Sequence, residues 1–260
     1  MRSLLERLSR DRVLRRRLPP ELGGHSLFVS PDAALKLWRR DLGRTDPLLL
    51  RLAVELVQPG SIVWDVGANV GIFAFAAAHR AGPAGRILAV EADDWLAGLI
   101  RRSAAGAGPA YAPVDVLAAA VSDRYGIAEF RIANRGRAGS HLSTVGGTTQ
   151  TGGHRELRKL VTVTLDGLLE WFAAPQVVKI DVEGAEAQCL RGAERLLASV
   201  RPAVVCEVSA ENGAEIREIL HRHRYEIFDA AAPPADRRPL AAPAWNTLAL
   251  PAEGGQTDGG

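Results

Sequence analysis

Acidic side chains end three apolar segments of this 260-residue sequence. Asp65 ends the segment 62–65, Glu91 ends 86–91 and Asp181 ends 176–181. In open α/β sheets, ligands bind outside the carboxyl ends of the strands, which is where these carboxylates are expected. A carboxylate there repels a pyrophosphate group and suits a cation. The pattern therefore predicts a site for a nucleotide-type cofactor that carries positive charge.

A glycine turn follows the first of these segments. It reads Asp-Val-Gly-Ala-Asn-Val-Gly over residues 65–71 and leads into a helical pattern over 72–79. Gly67 and Gly71 are four residues apart, so the turn does not fit the G-x-G-x-x-G pattern of dinucleotide-binding proteins. Glycine lets the backbone approach a cofactor closely. We therefore predict a cofactor-binding turn formed by Asp65, Gly67, Ala68, Asn69 and Gly71.

The ribose and the base of such a cofactor have candidate partners further along the chain. An acid at the end of the second strand accepts hydrogen bonds from ribose hydroxyls in nucleotide-binding α/β folds, which assigns that role to Glu91. Ser122 and Asp123 follow the next strand pattern, at 112–121, and are predicted to edge the adenine ring.

Candidate bases lie in two places. Asp181 and Glu183 sit at a strand end and are our first choice for removing a proton from a substrate. His154, with His141 in reserve, lies in a polar Gly-, Ser- and Thr-rich segment at 134–160, which is predicted to be a lid over the acceptor. Lys179 could stabilise an alkoxide or form a salt bridge at the edge of the sheet.

A metal site is a weaker alternative. Asp181, Glu183 and Glu207 could hold a divalent cation, but they lack a recognisable ligand spacing, so we favour a site without metal. Cys189 and Cys206 also lack metal-type spacing and are predicted to be buried free thiols of a cytoplasmic protein.

The charge of the chain is uneven. The net charge is +2, of which residues 1–17 contribute +5 and the remainder −3. A slightly negative body argues against a broad nucleic-acid surface. No apolar run approaches the ~20 residues of a membrane span, and the N-terminus lacks the apolar stretch of a signal peptide. The leucines and arginines of 3–18 have helical spacing, which predicts a docked helix or a partly disordered arm, with a membrane-surface or partner-binding helix as the alternative.

The motifs together resemble the FkbM-type methyltransferase family. They are DVGANVGIF at 65–73, VEADDW at 90–95, AVSD at 120–123, VTLDGLL at 163–169, VKIDVEGAE at 178–186, LRGAERLL at 190–197 and WNTLALP at 245–251. The resemblance covers residues 45 to 251, and VKIDVEGAE is its most discriminating part. One departure is VEADDW, because the family usually has Pro after the Glu. Residues 1–44 and 134–160 match nothing firmly.

The resemblance implies an α/β fold with a Rossmann-like, mostly parallel sheet of seven strands and helices on both faces. It also implies S-adenosyl-L-methionine (SAM) as cofactor and O-methylation of a hydroxyl. Residues 1–44 would be an N-terminal helical extension, 45–251 the SAM-dependent domain and 252–260 a disordered tail.

The expected acceptor is a small molecule, such as a sugar or a secondary metabolite of a bacterial biosynthetic pathway. The alternative is a methyltransferase or a non-catalytic SAM-binding module that docks on a protein or RNA through its Arg-rich arm. The sequence leaves the oligomeric state open, a homodimer included.

Overall fold

The N-terminal segment combines a helix with a small sheet. The computed structural model describes residues 2–144 and 152–252. Helix α1 (Arg2–Ser9) is followed by strands β1 (Leu14–Arg17) and β2 (Ser26–Val29), which pair antiparallel. The prediction of one helix over 3–18 is therefore wrong beyond Ser9. Residues 14–17 alternate between half-buried and exposed positions, which is the periodicity of a strand.

The next elements alternate between helix and strand, as predicted. They are α2 (Pro47–Leu56), β3 (Ile62–Val66), α3 (Ile72–Ala81), β4 (Arg86–Glu91), α4 (Asp94–Ala104) and β5 (Val114–Ala118). Pro47 opens α2 because its missing N–H would be unsatisfied at a helix start anyway. Asp93 caps α4 by accepting a hydrogen bond from the Trp95 N–H at 3.0 Å.

A second, smaller sheet follows. It contains β6 (Ala120–Val121), β7 (Gly126–Ala133), β8 (His141–Leu142) and β9 (His154–Val163), in the order β6-β9-β7-β8. Part of the segment 134–160 is thus regular structure rather than loop, because β9 pairs along the whole length of β7. Residues 145–151 of that predicted lid lie outside the described residues.

The remaining elements complete the main sheet. They are α5 (Leu165–Leu168), β10 (Val177–Ile180), α6 (Glu186–Arg191), β11 (Ala203–Glu207), α7 (Gly213–Arg222), β12 (Tyr225–Asp229) and β13 (Asn246–Pro251). Helix α6 ends at Arg191, and a short π-helical segment follows at Leu196–Val200. The predicted tail, apart from Ala252, lies outside the described residues.

The main sheet has seven strands in the order β12-β13-β11-β10-β3-β4-β5, and β13 runs antiparallel to both of its neighbours. Successive residues of β3 face opposite sides, so Val63 packs with Phe75 and Ile100 whereas Trp64 packs with Leu190. The sheet is therefore covered by helices on both faces, as predicted. None of the helices in the two described ranges combines the length and the apolar composition of a membrane span.

Candidate active site

Two adjoining clefts open at the carboxyl ends of β3, β4 and β10. The β4 cleft, of about 620 Å³, is bounded by the glycine turn, the end of β4 and the small sheet. The α2 cleft, of about 1000 Å³, is bounded by α2, the residues before it and the end of β11. Four residues line both clefts: Asn69, Ala138, Asp181 and Glu183. The clefts therefore meet at the acids that follow β10.

The glycine turn is shaped by close contact between two chain segments. Gly67 has φ +70°, and a Cβ added there would lie 1.8 Å from the carbonyl oxygen of Asp181. Glycine is thus required because the turn packs against the end of β10, rather than because a side chain would meet a cofactor. Asn69 also has positive φ, at 55°, and its Oδ1 is buried without a hydrogen-bond partner among the described residues. Ala68 is buried and lines the α2 cleft.

Asp65 and Lys179 form a buried ion pair beneath this turn. The Lys179 ammonium lies 3.1 Å from Asp65 Oδ1 and donates a hydrogen bond to the Gly67 carbonyl at 2.7 Å. Burial raises the pKa of Asp65, and the Lys179 charge opposes that rise. Burial would lower the pKa of Lys179, but Asp65 and Asp181 raise it above its ordinary value. Lys179 therefore stays charged and fixes the turn.

Glu91 joins the turn to the end of β4. Its Oε2 accepts from the Asn69 N–H at 2.7 Å, and its Oε1 accepts from the Asp93 N–H at 2.8 Å. Burial raises the pKa of Glu91 to about 7. Each oxygen keeps a further lone pair that a hydroxyl of a ligand can use.

The acids after β10 crowd one another. Asp181 is partly exposed, and its Oδ2 lies 3.5 Å from the ammonium nitrogen of Lys179. Glu183 has a left-handed backbone conformation, φ 54°. Burial raises the pKa of Glu183 to about 8, and the charges of Asp181 and Glu207 add to the rise. Burial and Asp181 raise the pKa of Glu207 to about 7. A carboxyl group with a pKa near neutrality can accept and release a proton under working conditions.

Glu186 holds the loop that carries these acids. Its Oε1 accepts from the backbone N–H groups of Val182, at 3.1 Å, and Gly184, at 3.0 Å. Its Oε2 lies 3.3 Å from the Asn212 side-chain nitrogen. This role was not predicted from the sequence, in which Glu186 is the last residue of the VKIDVEGAE motif.

Five predicted residues lie apart from the clefts. Gly71 precedes α3 in a left-handed conformation, and a Cβ added there would lie 3.0 Å from the Phe75 ring. Ser122 and Asp123 pack toward α6, where Asp123 pairs with Arg191 at 3.2 Å. His154 is exposed at the start of β9, and His141 is buried with its Nδ1 3.1 Å from the Gly139 carbonyl oxygen. None of the five lines either cleft as far as the structure is described, so their functional roles remain predictions.

The outer wall of the β4 cleft was not predicted. It consists of Phe130 of β7, Leu142 of β8 and the short 3₁₀ helix Arg137–Gly139 with Ser140. The polar composition of 134–160 indicated a binding segment but not which residues face the site. Within residues 2–144 and 152–252 no group of His, Cys, Asp and Glu side chains has a metal-binding arrangement.

The β4 cleft has features that fit SAM. Glu91 offers acceptors for ribose hydroxyls, Asn69 offers a buried carbonyl that lacks a partner within the described ranges, and Asp181 offers a carboxylate for a cationic group.

Comparison with known proteins agrees with this fit. The Methyltransferase FkbM domain model matches residues 65–227. The hexuronic acid methyltransferase AglP of Haloferax volcanii is 29% identical over 190 residues, which are 71% of this chain and 72% of that protein.

Two solved structures align with about three quarters of this chain. The methyltransferase FkbM of Methylobacillus flagellatus gives a TM-score of 0.48 at 14% identity, over 77% of this chain and 50% of that one. The Aeropyrum pernix fibrillarin with bound SAM gives 0.45 at 15% identity, over 78% of this chain and 75% of that one. The family match spans more than half of the sequence, and the chain therefore belongs to the FkbM methyltransferase family and is a SAM-dependent methyltransferase.

Proposed function

We propose that the chain transfers a methyl group to a hydroxyl of a sugar or a related small molecule in a bacterial biosynthetic pathway. The observation that carries this proposal is the common wall of the two clefts, formed by Asp181 and Glu183. A hydroxyl in the α2 cleft would meet a carboxylate at the boundary with the β4 cleft. That arrangement supports removal of a hydroxyl proton beside a bound cofactor.

The β4 cleft is the proposed cofactor site. Glu91 would bind the ribose hydroxyls, and Asn69 with Gly67 would line the opposite wall. When bound, SAM supplies an electrophilic methyl group, and the protein's task is to orient the acceptor and take up its proton. Asp65 acts from beneath, since its ion pair with Lys179 holds the turn in place.

Glu183 is the proposed base. It is one of the two acids that face both clefts, and its raised pKa lets the carboxylate compete for a hydroxyl proton. Asp181 also faces both clefts and lies near Lys179, so it is the second candidate. His154 is a weaker candidate, because the residues described place it at an exposed position outside the clefts.

The α2 cleft is the proposed acceptor site. One side is apolar, with Leu48, Leu49 and Phe73, and the other carries Asp181, Glu183 and Glu207. Carboxylates are good acceptors for the hydroxyl groups of a carbohydrate. The similarity to a hexuronic acid methyltransferase supports a sugar as the acceptor. The two lysines of the α2 cleft are already paired with acids of the protein, Lys36 with Asp46 at 2.6 Å and Lys179 with Asp65. They are therefore not available to bind the carboxylate of an acceptor, which supports methylation of a hydroxyl rather than a carboxylate.

The test uses SAM with a radiolabelled methyl group and a panel of methyl hexosides and methyl hexuronosides. We expect label in a methyl ether, which survives mild alkali, because the proposed acceptor group is a hydroxyl. Label that alkali releases would show carboxyl methylation and contradict O-methylation of a hydroxyl. SAM binding without transfer to any member, repeated with protein and RNA extracts as acceptors, would favour a macromolecular substrate if those extracts become labelled.

A further inference from the structure

Arg137 lies in the wall of the β4 cleft, although its side chain is only 6% exposed. Its Nε donates to Asp32 Oδ2 at 2.9 Å, and its Nη1 donates to Asp93 Oδ2 at 2.6 Å. The guanidinium also lies 4.6 Å from the centre of the Trp95 ring. Both carboxylates are buried, so this charge is held from two sides in surroundings with little water.

Asp32 brings the N-terminal segment to this wall. Besides Arg137, it accepts two hydrogen bonds from Arg155 of β9, at 3.1 and 2.7 Å. Backbone hydrogen bonds run in parallel, from the Arg137 N–H to the Asp32 carbonyl at 2.8 Å and from the Ala138 N–H to the Ala33 carbonyl at 3.0 Å. Ala138 lines both clefts, so the N-terminal segment braces a wall that the two clefts share.

Asp93 connects Arg137 to the proposed ribose ligand. Its N–H donates to Glu91 Oε1 at 2.8 Å, while its Oδ1 caps α4 through the Trp95 N–H. The turn from Glu91 to Trp95 is therefore held at one end by the glycine turn, through Asn69, and at the other by Arg137. Without the Arg137 contact, Asp93 would keep its cap on α4 and its neighbour Arg158, whose Nη1 lies 3.8 Å away, but the turn that carries Glu91 would be held less firmly.

We propose that Arg137 is a positioning residue for SAM, and that Asp32 of the N-terminal segment holds it in place. The inference rests on the assignment of the β4 cleft to the cofactor. Arg137 acts through Asp93 and Glu91, and its charge is already satisfied by carboxylates of the protein. The N-terminal segment thereby becomes part of the cofactor-binding machinery rather than an appendage.

A matched control exists elsewhere in the chain. Arg237 is 8% exposed and forms an ion pair with Glu55, and neither residue lines a cleft in the described structure. The variants Arg137→Gln and Arg237→Gln therefore remove buried arginines of similar burial. Calorimetric titration with SAM and thermal unfolding are measured for each of them and for the wild type.

We expect Arg137→Gln to raise the Kd for SAM about 10- to 100-fold, because it removes charge-assisted hydrogen bonds that position the site. Arg237→Gln should lower Tm without changing the Kd. Arg137→Lys should not restore affinity, because one ammonium cannot bind two carboxylates in the fork geometry of Arg. An unchanged Kd in Arg137→Gln, or an equal rise in Arg237→Gln, would overturn the inference.

Asp32→Asn provides a second route if Arg137→Gln fails to fold, because it removes a charge but little volume. It should raise the Kd for SAM. In the double variant with Arg137→Lys, the fold-increase in Kd should be smaller than the product of the two single increases, since both residues act through one network. A double variant whose increase in Kd equals that product would contradict the coupling. Absence of SAM binding by the wild type would refute the cofactor assignment itself, whereas binding that every variant retains would refute only the role of Arg137.

Discussion

Glu183 should control the pH dependence of the reaction. Burial and the neighbouring acids raise its pKa to about 8, so roughly a tenth of it is ionised at pH 7 and roughly nine-tenths at pH 9. A base works only when deprotonated. The kcat/KM of the wild type should therefore rise about tenfold between pH 7 and pH 9 and then level off.

Two substitutions separate the role of Glu183 from that of its neighbours. Glu183→Gln should lower kcat by about 10²–10⁴-fold and abolish the rise with pH, with SAM affinity little changed. Glu207→Gln should keep the rise but move it to lower pH, because it removes a negative charge that raises the pKa of Glu183. Glu183 and Glu207 influence one another, so the midpoint belongs to this pair.

The assay is the initial rate of methyl transfer to the acceptor, measured from pH 6 to pH 10 at saturating and at low acceptor concentration. Calorimetric titration with SAM at each pH provides the control for binding. A Glu183→Gln variant that keeps both its rate and its pH profile would refute the assignment. If Asp181→Asn instead carries the large loss, with the pH rise intact in Glu183→Gln, Asp181 is the base.

Three further predictions concern the fold of the site and its chemistry. Gly67→Ala should lower the free energy of unfolding in urea by about 3 kcal/mol or more, because the added Cβ would meet Asp181. Gly60 also has positive φ but lies in open space, so Gly60→Ala should lower it by about 1 kcal/mol. Equal losses in the two variants would contradict the contact. Lys179→Met should lower the free energy of unfolding by about 3–5 kcal/mol, because it leaves Asp65 without its ion pair. The double variant with Asp65→Asn should recover part of that loss. No recovery would show that packing dominates. EDTA should leave activity unchanged, and loss of activity that Mg²⁺ or Mn²⁺ restores would establish a metal role.

The main sheet and the acids at its edge were predictable, because each depends on local sequence. Asp65, Glu91 and Asp181 each end an apolar segment, and parallel strands bring such ends together at one edge. The mostly parallel sheet of seven strands could be expected from the resemblance, since motifs along most of the chain carry it. What the glycine turn packs against could not be predicted, because the contact of Gly67 with Asp181 joins two distant segments.

The outer wall of the β4 cleft was missed for the same physical reason. No local pattern indicates that Arg137 pairs with Asp32, or that a polar segment contains a strand such as β9. The helical spacing of leucines and arginines predicted a helix over 3–18, but the helix ends at Ser9. Four residues of that stretch pair with β2, so tertiary contact determined their conformation.

The pairing of Asp32 with distant arginines has a consequence for how the protein folds. Asp32 precedes Arg137 by 105 residues and Arg155 by 123. Closing long loops costs entropy before the contact stabilises anything, so such contacts tend to form late. During synthesis, the N-terminal segment leaves the ribosome well before either partner. The outer wall of the β4 cleft is thus completed only after β9 has emerged, and competence to bind SAM should be gained after most of the chain's secondary structure.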